Sequence, residues 1–389
     1  MGFYFGFSTE LAGLAAMAAV QWWLGHRVNS LIKSCLPVAL AFLLRIAVRI
    51  VVAALTLGLI LSVPYASHLP LPAFLNWLRG VSLLWAFTSS AAWLIYRVLR
   101  LFRWGSAEAD PGRRALLRTA GTAAVAAPFA LVGFGAFIER TAFGVREVDI
   151  PIPDLHPDLE GLRLVQISDI HLSPFLSERE FARVVDAANG LRANVMFVTG
   201  DLISLRGDPL DACLDQIGRL RADAGVLGCL GNHEIYAGTE AYTTVQGARI
   251  GVSFLRSQAR RLRFGNATLN IGGVDYQKMN GRHSYLPGAE RMLAPGSVNL
   301  LLSHNPDVFP VAAQQGWDVT IAGHTHGGQV NFEILHQGLN MARFYTPYVY
   351  GLYTLGRSSI YVTRGIGTIE MPARLGAPPE ISVLRLRKA

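Results

Sequence analysis

The chain has 389 residues, of which 51% are hydrophobic and 16% are charged, and its formal net charge is +8 at pH 7. The first 140 residues hold 12 Lys and Arg against 4 Asp and Glu, whereas the remainder holds 23 of each, so the whole excess lies in the first part. Basic residues scattered between apolar runs are typical of membrane topology and not of a nucleic-acid-binding face, so we expect no nucleic-acid partner.

Four apolar segments in residues 1–140 are candidates for membrane-spanning helices, each of which needs about 20 apolar residues. They run approximately from Phe3 to Leu24, Leu36 to Val63, Leu71 to Tyr96 and Ala120 to Ile138. Charged residues interrupt the first three segments, so the count of about four helices is open by one. Arg45 and Arg49 in the second segment share one helix face, from which both can snorkel to the nearer interface.

The distribution of Lys and Arg predicts the orientation, because cytoplasmic loops hold the excess of these residues. The loop between the third and fourth segments contains Arg97, Arg100, Arg103, Arg113, Arg114 and Arg118. The connection from Pro64 to Pro70 contains neither Lys nor Arg. We therefore expect a multi-pass protein of the inner (cell) membrane, with the part after the fourth segment on the periplasmic or extracytoplasmic side. Arg113 and Arg114 also fit a twin-arginine export signal, which predicts the same side.

The cysteines Cys35, Cys213 and Cys229 lack metal-ligand spacing, so we expect them to be core residues. A disulfide between Cys213 and Cys229 remains an alternative, because spacing alone does not define disulfide geometry.

Residues 141–160 are interpreted as a linker with a first strand, and residues 161–389 as a second domain in which short apolar runs alternate with helical periodicity. A helix is expected from about Glu178 to Leu191. Strands are predicted at Leu162 to Ile167, Val195 to Thr199, Val226 to Leu230, Leu269 to Gly272, Val298 to Leu302 and Val319 to Ala322. This alternation is typical of an α/β sandwich.

Residues of metal-ligand type follow most of these strands. Asp169 and His171 are two positions apart, which places both side chains on one side of an extended backbone. Asp201 follows Gly200 at the next strand end, and Asn232 stands before His233 in a Gly-Asn-His-Glu sequence.

Three further histidines complete the pattern: His304 after the strand at Val298 to Leu302, and His324 and His326 between glycines that allow the backbone to bend. Five of the ten histidines thus fall just past the ends of predicted strands. Histidines that merely fill a core are not expected to cluster in this way, so the pattern predicts a metal site.

These motifs resemble the calcineurin-like metallophosphoesterase superfamily, whose pattern is Asp-x-His, Gly-Asp, Gly-Asn-His-Asp/Glu, a lone His and Gly-His-x-His. The resemblance covers about Leu162 to Leu386 and is closest to the membrane-associated or exported bacterial branch. It implies a two-sheet α-β-β-α metallophosphoesterase sandwich, here preceded by a transmembrane α-helical region. Many relatives carry an acid three residues after the aspartate of Gly-Asp, whereas this chain has Ser204.

The resemblance also implies roles for individual residues. One metal ion would be held by Asp169, His171, Asp201 and His326. The other would be held by Asp201, Asn232, His304 and His324, so that Asp201 bridges the two ions. His233 would be the catalytic histidine that binds no metal. Substrate-binding residues stay unknown.

The implied reaction is hydrolysis of a phosphomonoester or phosphodiester bond by a water that two divalent metal ions activate. Mn, Fe or Zn suits the mixed carboxylate, amide and imidazole donors better than Ca or Mg. The expected partners are a phosphoester substrate of the membrane or cell envelope and the lipid bilayer; the oligomeric state stays open. Two alternatives remain, a nucleotide-lipid pyrophosphate hydrolase and a non-catalytic membrane module with a structural metal site.

Overall fold

The structure is a computed structural model that describes residues 7–63, 71–101, 110–278, 284–333, 338 and 340–389. The chain separates into two compact units. A helical unit extends to Ile138 and includes the short segment Glu370–Ala373. A mixed α/β unit comprises Glu139–Ile369 and Arg374–Ala389.

The described part of the helical unit contains four long helices. They are α1 (Phe7–Cys35), α2 (Val38–Ile60), α3 (Ala73–Leu101) and α4 (Pro111–Phe137). Three stretches are long and apolar enough to cross a membrane: Val38–Ile60, Ala73–Leu101 and Pro111–Thr141. Helix α1 is long enough but is less apolar, so a crossing by this helix stays a prediction. The connection from Pro64 to Pro70 and the side chain of Arg103 lie outside the described residues.

Local sequence explains where α4 begins. The side chain of Asp110 accepts hydrogen bonds from the backbone N–H groups of Gly112 at 3.0 Å and Arg113 at 3.1 Å. Pro111 occupies the first helical position, where its missing N–H has no partner to lose. Helix α4 therefore begins inside the stretch that was predicted to be a loop, and it includes Arg113, Arg114 and Arg118.

The α/β unit contains two six-stranded sheets, with strand orders β1-β12-β2-β3-β4-β5 and β10-β11-β9-β8-β7-β6. The first sheet consists of β1 (Gly144–Ile152), β2 (Arg163–Ile167), β3 (Val195–Thr199), β4 (Val226–Cys229), β5 (Val252–Phe254) and β12 (Glu380–Lys388). The second consists of β6 (Gln258–Phe264), β7 (Ala267–Gly273), β8 (Val298–Leu302), β9 (Val319–Ala322), β10 (Gly351–Leu355) and β11 (Ser358–Val362). The described helices are α5 (Glu178–Gly190), α6 (Leu210–Ile217), α7 (Asn232–Ala237), α8 (Glu240–Arg249) and α9 (Phe309–Gln315).

Successive side chains of a strand point to opposite faces of its sheet, and this alternation produces the layers of the α/β unit. Val195 and Phe197 of β3 pack between the two sheets, whereas Met196 and Val198 pack against α5 and α6 on the outer face. On the outer face of the second sheet, Leu301 packs against Ala312 of α9. Strands covered on both faces read as continuous apolar runs, which is why β3 is recognisable from the sequence.

The predicted two-sheet α-β-β-α sandwich after an apolar helical region is confirmed. The predicted helix over Glu178 to Leu191 corresponds to α5, which begins at a capping box made by Ser177 and Glu180. Strands β5, β6 and β10 to β12 were not assigned individually from the sequence. Cys213 and Cys229 are buried free thiols, so the alternative of a disulfide between them is wrong.

Candidate metal centre

The predicted ligands lie just after the ends of parallel strands. Strands β2, β3 and β4 pair in parallel in the first sheet, and β7, β8 and β9 do so in the second. Their carboxyl ends therefore bring distant motifs to the same edge of each sheet. The residues concerned are Asp169 after β2, Asp201 after β3, Asn232 after β4, His304 after β8 and His324 after β9.

A first group of potential ligands comprises Asp169, His171, Asp201 and His326, all of which are buried. One donor atom from each lies within 4.8 Å of the others. The Nε2 atoms of His171 and His326 are 3.1 Å apart, and Nε2 of His171 is 3.5 Å from Oδ2 of Asp201. Such a spacing of carboxylate and imidazole donors suits one metal ion.

A second group comprises Asp201, His304 and His324, again with donor atoms within 4.8 Å of one another. Nε2 of His304 lies 3.0 Å from Oδ2 of Asp201. Asp201 belongs to both groups, so the structure places it between two potential ion positions. This is the arrangement that a bridging carboxylate requires.

The backbone at the ligands differs from the sequence interpretation. Asp169 and His171 were expected on an extended backbone, but their φ angles are 50° and 46°, in the left-handed region. Asp201, His324 and His326 also have positive φ, at 55°, 77° and 52°. The expectation of an extended backbone is therefore wrong: tight left-handed turns, not strand alternation, bring these side chains together. Such conformations in residues other than glycine concentrate at functional sites.

Two glycines allow the ligand loops to approach one another. A Cβ atom at Gly231 would lie 2.1 Å from Oδ1 of Asp201, and one at Gly323 would lie 2.4 Å from Oδ2 of Asp169. Both distances are far shorter than van der Waals contact. Any larger residue at either position would push a proposed ligand out of place.

Hydrogen bonds to the opposite ring nitrogen orient two of the histidines. Nδ1 of His304 is 2.7 Å from the carbonyl oxygen of Thr199, and Nδ1 of His171 is 3.1 Å from the hydroxyl oxygen of Ser204. In both rings Nε2 then faces the ligand group. Partners of this kind set the tautomer and ring orientation of metal-binding histidines.

The pKa values of the ligand residues depend on burial and on the nearby carboxylates. Burial raises the pKa of Asp169 to about 6 and lowers the pKa of His171 and of His324 to about 3. Burial also acts to lower the pKa of His304, but Asp201 and Asp169 outweigh it and raise that pKa to about 10. Neutral imidazoles with free lone pairs are the form in which histidine binds a metal.

The unsatisfied atoms of the cluster provide a test of metal fit. Within the described part of the chain, Oδ2 of Asp169 and Oδ1 of Asn232 are buried and form no hydrogen bond. Buried polar atoms are rarely left without a partner. Both belong to residues assigned as ligands, one to each ion, so the residues present fit a pair of divalent cations.

Glu234 supports the same loops through its buried carboxylate. Its oxygens accept hydrogen bonds from the backbone N–H groups of Asp201 at 3.0 Å, Leu202 at 2.7 Å and Gly231 at 2.7 Å. It thus links the Gly-Asp loop to the Gly-Asn-His loop. Glu234 was not predicted to have a role, although its position in the Gly-Asn-His-Glu motif indicates that it lies at the site.

His233 belongs to neither ligand group, as expected for a histidine that binds no metal. Its ring packs edge-to-face on His171, with 4.7 Å between the centroids. Nδ1 of His233 is hydrogen-bonded to the carbonyl oxygen of Ser204. The ring is therefore fixed beside the ligand cluster, with Nε2 as the ring nitrogen that Ser204 does not engage.

Arg374 follows the ligand motifs in the sequence and is fully buried. Its guanidinium donates hydrogen bonds of 2.9 Å to the carbonyl oxygens of Gly367, Ala377 and Arg364. Nη2 also lies 3.4 Å from Nδ1 of His326. Arg374 is thus a structural support behind a proposed ligand.

Gln329 and Asn305, which lie close to proposed ligands in the sequence, form hydrogen bonds within the loops. Gln329 exchanges hydrogen bonds with the backbone of Ile369, at 3.0 and 2.9 Å. Asn305 accepts from the N–H of Asp307 at 2.9 Å and donates to the carbonyl of Gln277 at 2.6 Å. Tyr276 was not predicted to lie at the site, but its ring centroid is 5.4 Å from that of His324 and 6.1 Å from that of His304.

Comparison with known proteins agrees with this geometry. The family model described as calcineurin-like phosphoesterase matches residues 162–328, which include every proposed ligand. Residues 162–328 are thus similar to the calcineurin-like phosphoesterase family. The matched region ends at Gly328, two residues after the Gly-His-x-His motif.

Three relatives show the range of similar proteins. An uncharacterized metallophosphoesterase of Campylobacter jejuni is 28% identical over 62% of this chain and 63% of its own length. A transmembrane protein with metallophosphoesterase domain of Danio rerio is 29% identical over 63% of this chain and 57% of its own length. Phosphodiesterase YaeI of Escherichia coli is 28% identical over 58% of this chain and 82% of its own length.

The matches to the first two relatives therefore span less than two thirds of those proteins. The three apolar helices, together with relatives that are named as transmembrane proteins, indicate that the phosphoesterase domain is part of a membrane-associated protein.

Proposed function

We propose that this protein is a metal-dependent hydrolase that cleaves phosphomonoester or phosphodiester bonds of membrane or cell-envelope substrates. The observation that carries the proposal is the position of Asp201, which is buried and belongs to both ligand groups. A purely structural metal site does not need a shared carboxylate. It also does not need a second histidine such as His233 packed against the ligands.

Two divalent ions at these positions would activate a water molecule and neutralise charge on the phosphoryl oxygens. Asp169, His171, Asp201 and His326 would hold one of them, and Asp201, Asn232, His304 and His324 the other. The donor set of carboxylate, amide and imidazole favours Mn, Fe or Zn.

His233 would protonate the leaving oxygen or stabilise the charge that develops on it. Nδ1–H of His233 donates a hydrogen bond to the carbonyl oxygen of Ser204, so Nε2 is the atom available for proton transfer. A positioned histidine in this role typically contributes about 10² to 10⁴ in rate.

The substrate class follows from the proposed location. The arginine-rich stretch from Arg97 to Arg118, which includes the end of α3 and the start of α4, favours a multi-pass inner-membrane protein whose phosphoesterase domain is extracytoplasmic. Cytoplasmic nucleotides would then be out of reach, whereas lipid-linked and cell-wall phosphates would be accessible. The phosphodiesterase name of the Escherichia coli relative makes a diester the first substrate to assay.

The experiment is a hydrolysis assay of the purified full-length protein, loaded with Mn, against an aryl phosphomonoester and an aryl phosphodiester. Metal-dependent turnover of either compound supports the proposal. A protein that carries stoichiometric metal but hydrolyses neither aryl compound nor a nucleotide-lipid pyrophosphate would instead be a membrane module with a structural metal site.

A further inference from the structure

The helical unit contains a basic cavity of about 460 Å³ between α1 and α2. Helix α1 contributes His26, Asn29 and Lys33 to its lining, and α2 contributes Arg45 and Arg49. The cavity therefore combines three fixed positive charges with a histidine and an amide. None of these residues belongs to the phosphoesterase domain.

The packing of the two helices explains where the cavity opens. The indole N–H of Trp22 donates to the hydroxyl of Thr56 at 3.2 Å. At Gly25, an added Cβ atom would lie 2.7 Å from a methyl carbon of Val52, so the helices are in close contact there. Nearer to the short connection between Cys35 and Val38, long polar side chains replace these contacts and line the cavity.

The basic residues lie deep along the helix. With a rise of about 1.5 Å per residue, Arg45 is roughly 10 Å and Arg49 roughly 16 Å from the start of α2. A bilayer has a hydrocarbon core of about 30 Å, so both positions fall within it when α2 crosses the membrane. Charged side chains at such depths are costly, and they commonly mark functional sites.

No protein anion compensates these charges within the described ranges. None of the ion pairs there involves Lys33, Arg45 or Arg49. Nε of Arg45 and Oδ1 of Asn29 are both buried without a hydrogen-bond partner among the described residues. The cavity thus presents an unpaired guanidinium donor together with an unused amide acceptor.

We propose that this cavity binds the headgroup of an anionic glycerophospholipid, with its phosphate on Arg45 and Arg49. A guanidinium pairs with phosphate oxygens through two parallel hydrogen bonds, and basic pockets between membrane helices suit anionic headgroups. The unused Oδ1 of Asn29 can accept a hydrogen bond from a headgroup hydroxyl. The exposed apolar side chains of Phe42 and Ile50 on α2 are available for contact with the acyl chains.

The test uses the full-length protein purified in detergent. Binding of phosphatidylglycerol and of phosphatidylcholine is counted by native mass spectrometry, and the melting temperature is measured with each lipid. Wild type is compared with the double variant Arg45→Gln/Arg49→Gln. Arg113→Gln is the matched control, because it removes one arginine that is exposed and lies outside this cavity.

We expect wild type and Arg113→Gln to retain phosphatidylglycerol preferentially and to melt at a higher temperature with it. The double variant should bind this lipid about thirty-fold more weakly. Equal retention by all three proteins would overturn the proposal. So would equal stabilisation by inorganic phosphate, because the site would then bind a free anion.

A second variant keeps the test decisive if the double glutamine variant does not insert. Arg45→Lys/Arg49→Lys preserves the charge but removes the guanidinium groups that form two parallel hydrogen bonds to phosphate. We therefore expect a several-fold loss of phosphatidylglycerol binding with normal insertion. Undiminished binding in this variant would contradict the assignment of the phosphate to the two guanidinium groups.

Discussion

Nδ1 of His171 lies 3.1 Å from the hydroxyl oxygen of Ser204. The carbonyl oxygen of the same serine is hydrogen-bonded to Nδ1 of His233. Ser204 stands three positions after Asp201. In this chain one residue therefore orients a proposed ligand through its side chain and the proposed catalytic histidine through its backbone.

This division of roles predicts the effect of Ser204→Ala. The substitution removes the hydroxyl that orients His171 but keeps the carbonyl that holds His233. We expect metal affinity to fall about ten-fold or more, with kcat at saturating metal little changed. Metal titration followed by activity measures both quantities. Ser358→Ala is the control, since its hydroxyl bonds to Trp317 and not to a proposed ligand; a loss of kcat alone in Ser204→Ala would contradict the account.

His233→Ala should separate catalysis from metal binding. His233 lies outside both ligand groups, so we expect the variant to keep its metal ions and to lose about 10² to 10⁴ in turnover. Elemental analysis and steady-state kinetics on the same preparation check this. Stoichiometric loss of metal would show that the assigned role is wrong.

Arg374→Met should destabilise the phosphoesterase domain. The substitution leaves three carbonyl oxygens without their donor, and each unsatisfied buried group costs about 1 to 3 kcal/mol. We expect a loss of roughly 3 kcal/mol or more of unfolding free energy, together with weaker metal retention because His326 loses its support. Chemical denaturation with and without metal measures both effects.

Arg357→Met is the matched control for this change. Arg357 is exposed and pairs with the exposed Asp154, so its removal should alter stability by no more than about 0.5 kcal/mol. Equal stability of the two variants would refute the structural role of Arg374.

The sidedness of the phosphoesterase domain is tested by reporter fusions. We expect a C-terminal fusion to alkaline phosphatase to be active and a C-terminal fluorescent protein to stay dark, because the arginine-rich stretch from Arg97 to Arg118 should remain on the cytoplasmic side. Fusions made after Arg100 should show the opposite pattern and serve as the control. Fluorescence at the C-terminus without phosphatase activity would move nucleotide and nucleotide-lipid substrates ahead of envelope phosphates.

Much of the fold was predictable because buried parallel strands such as β3 are continuous apolar runs. The ligand motifs were predictable because each follows such a strand. The left-handed backbone at Asp169 was not predictable, since tertiary contacts impose it. The burial of Arg374 could not be predicted from the sequence for a similar reason. Its partners are backbone carbonyl groups of loops, which leave no side-chain pattern in the sequence.

Substitution of a ligand that belongs to the second group alone tests whether the second metal ion is needed for hydrolysis. His324→Ala removes a ligand of the second group only, and it should abolish hydrolysis while the protein still inserts in the membrane. Asp186→Asn, which changes an exposed carboxylate, should leave activity unchanged.

The most direct measurement is the metal content and hydrolytic activity of Asp201→Asn beside wild type, on full-length protein reconstituted with Mn. We expect about two ions per chain in wild type. In the membrane-inserted variant we expect fewer ions and no detectable hydrolysis. Full activity in Asp201→Asn, or two ions retained with unchanged affinity, would contradict the dinuclear assignment.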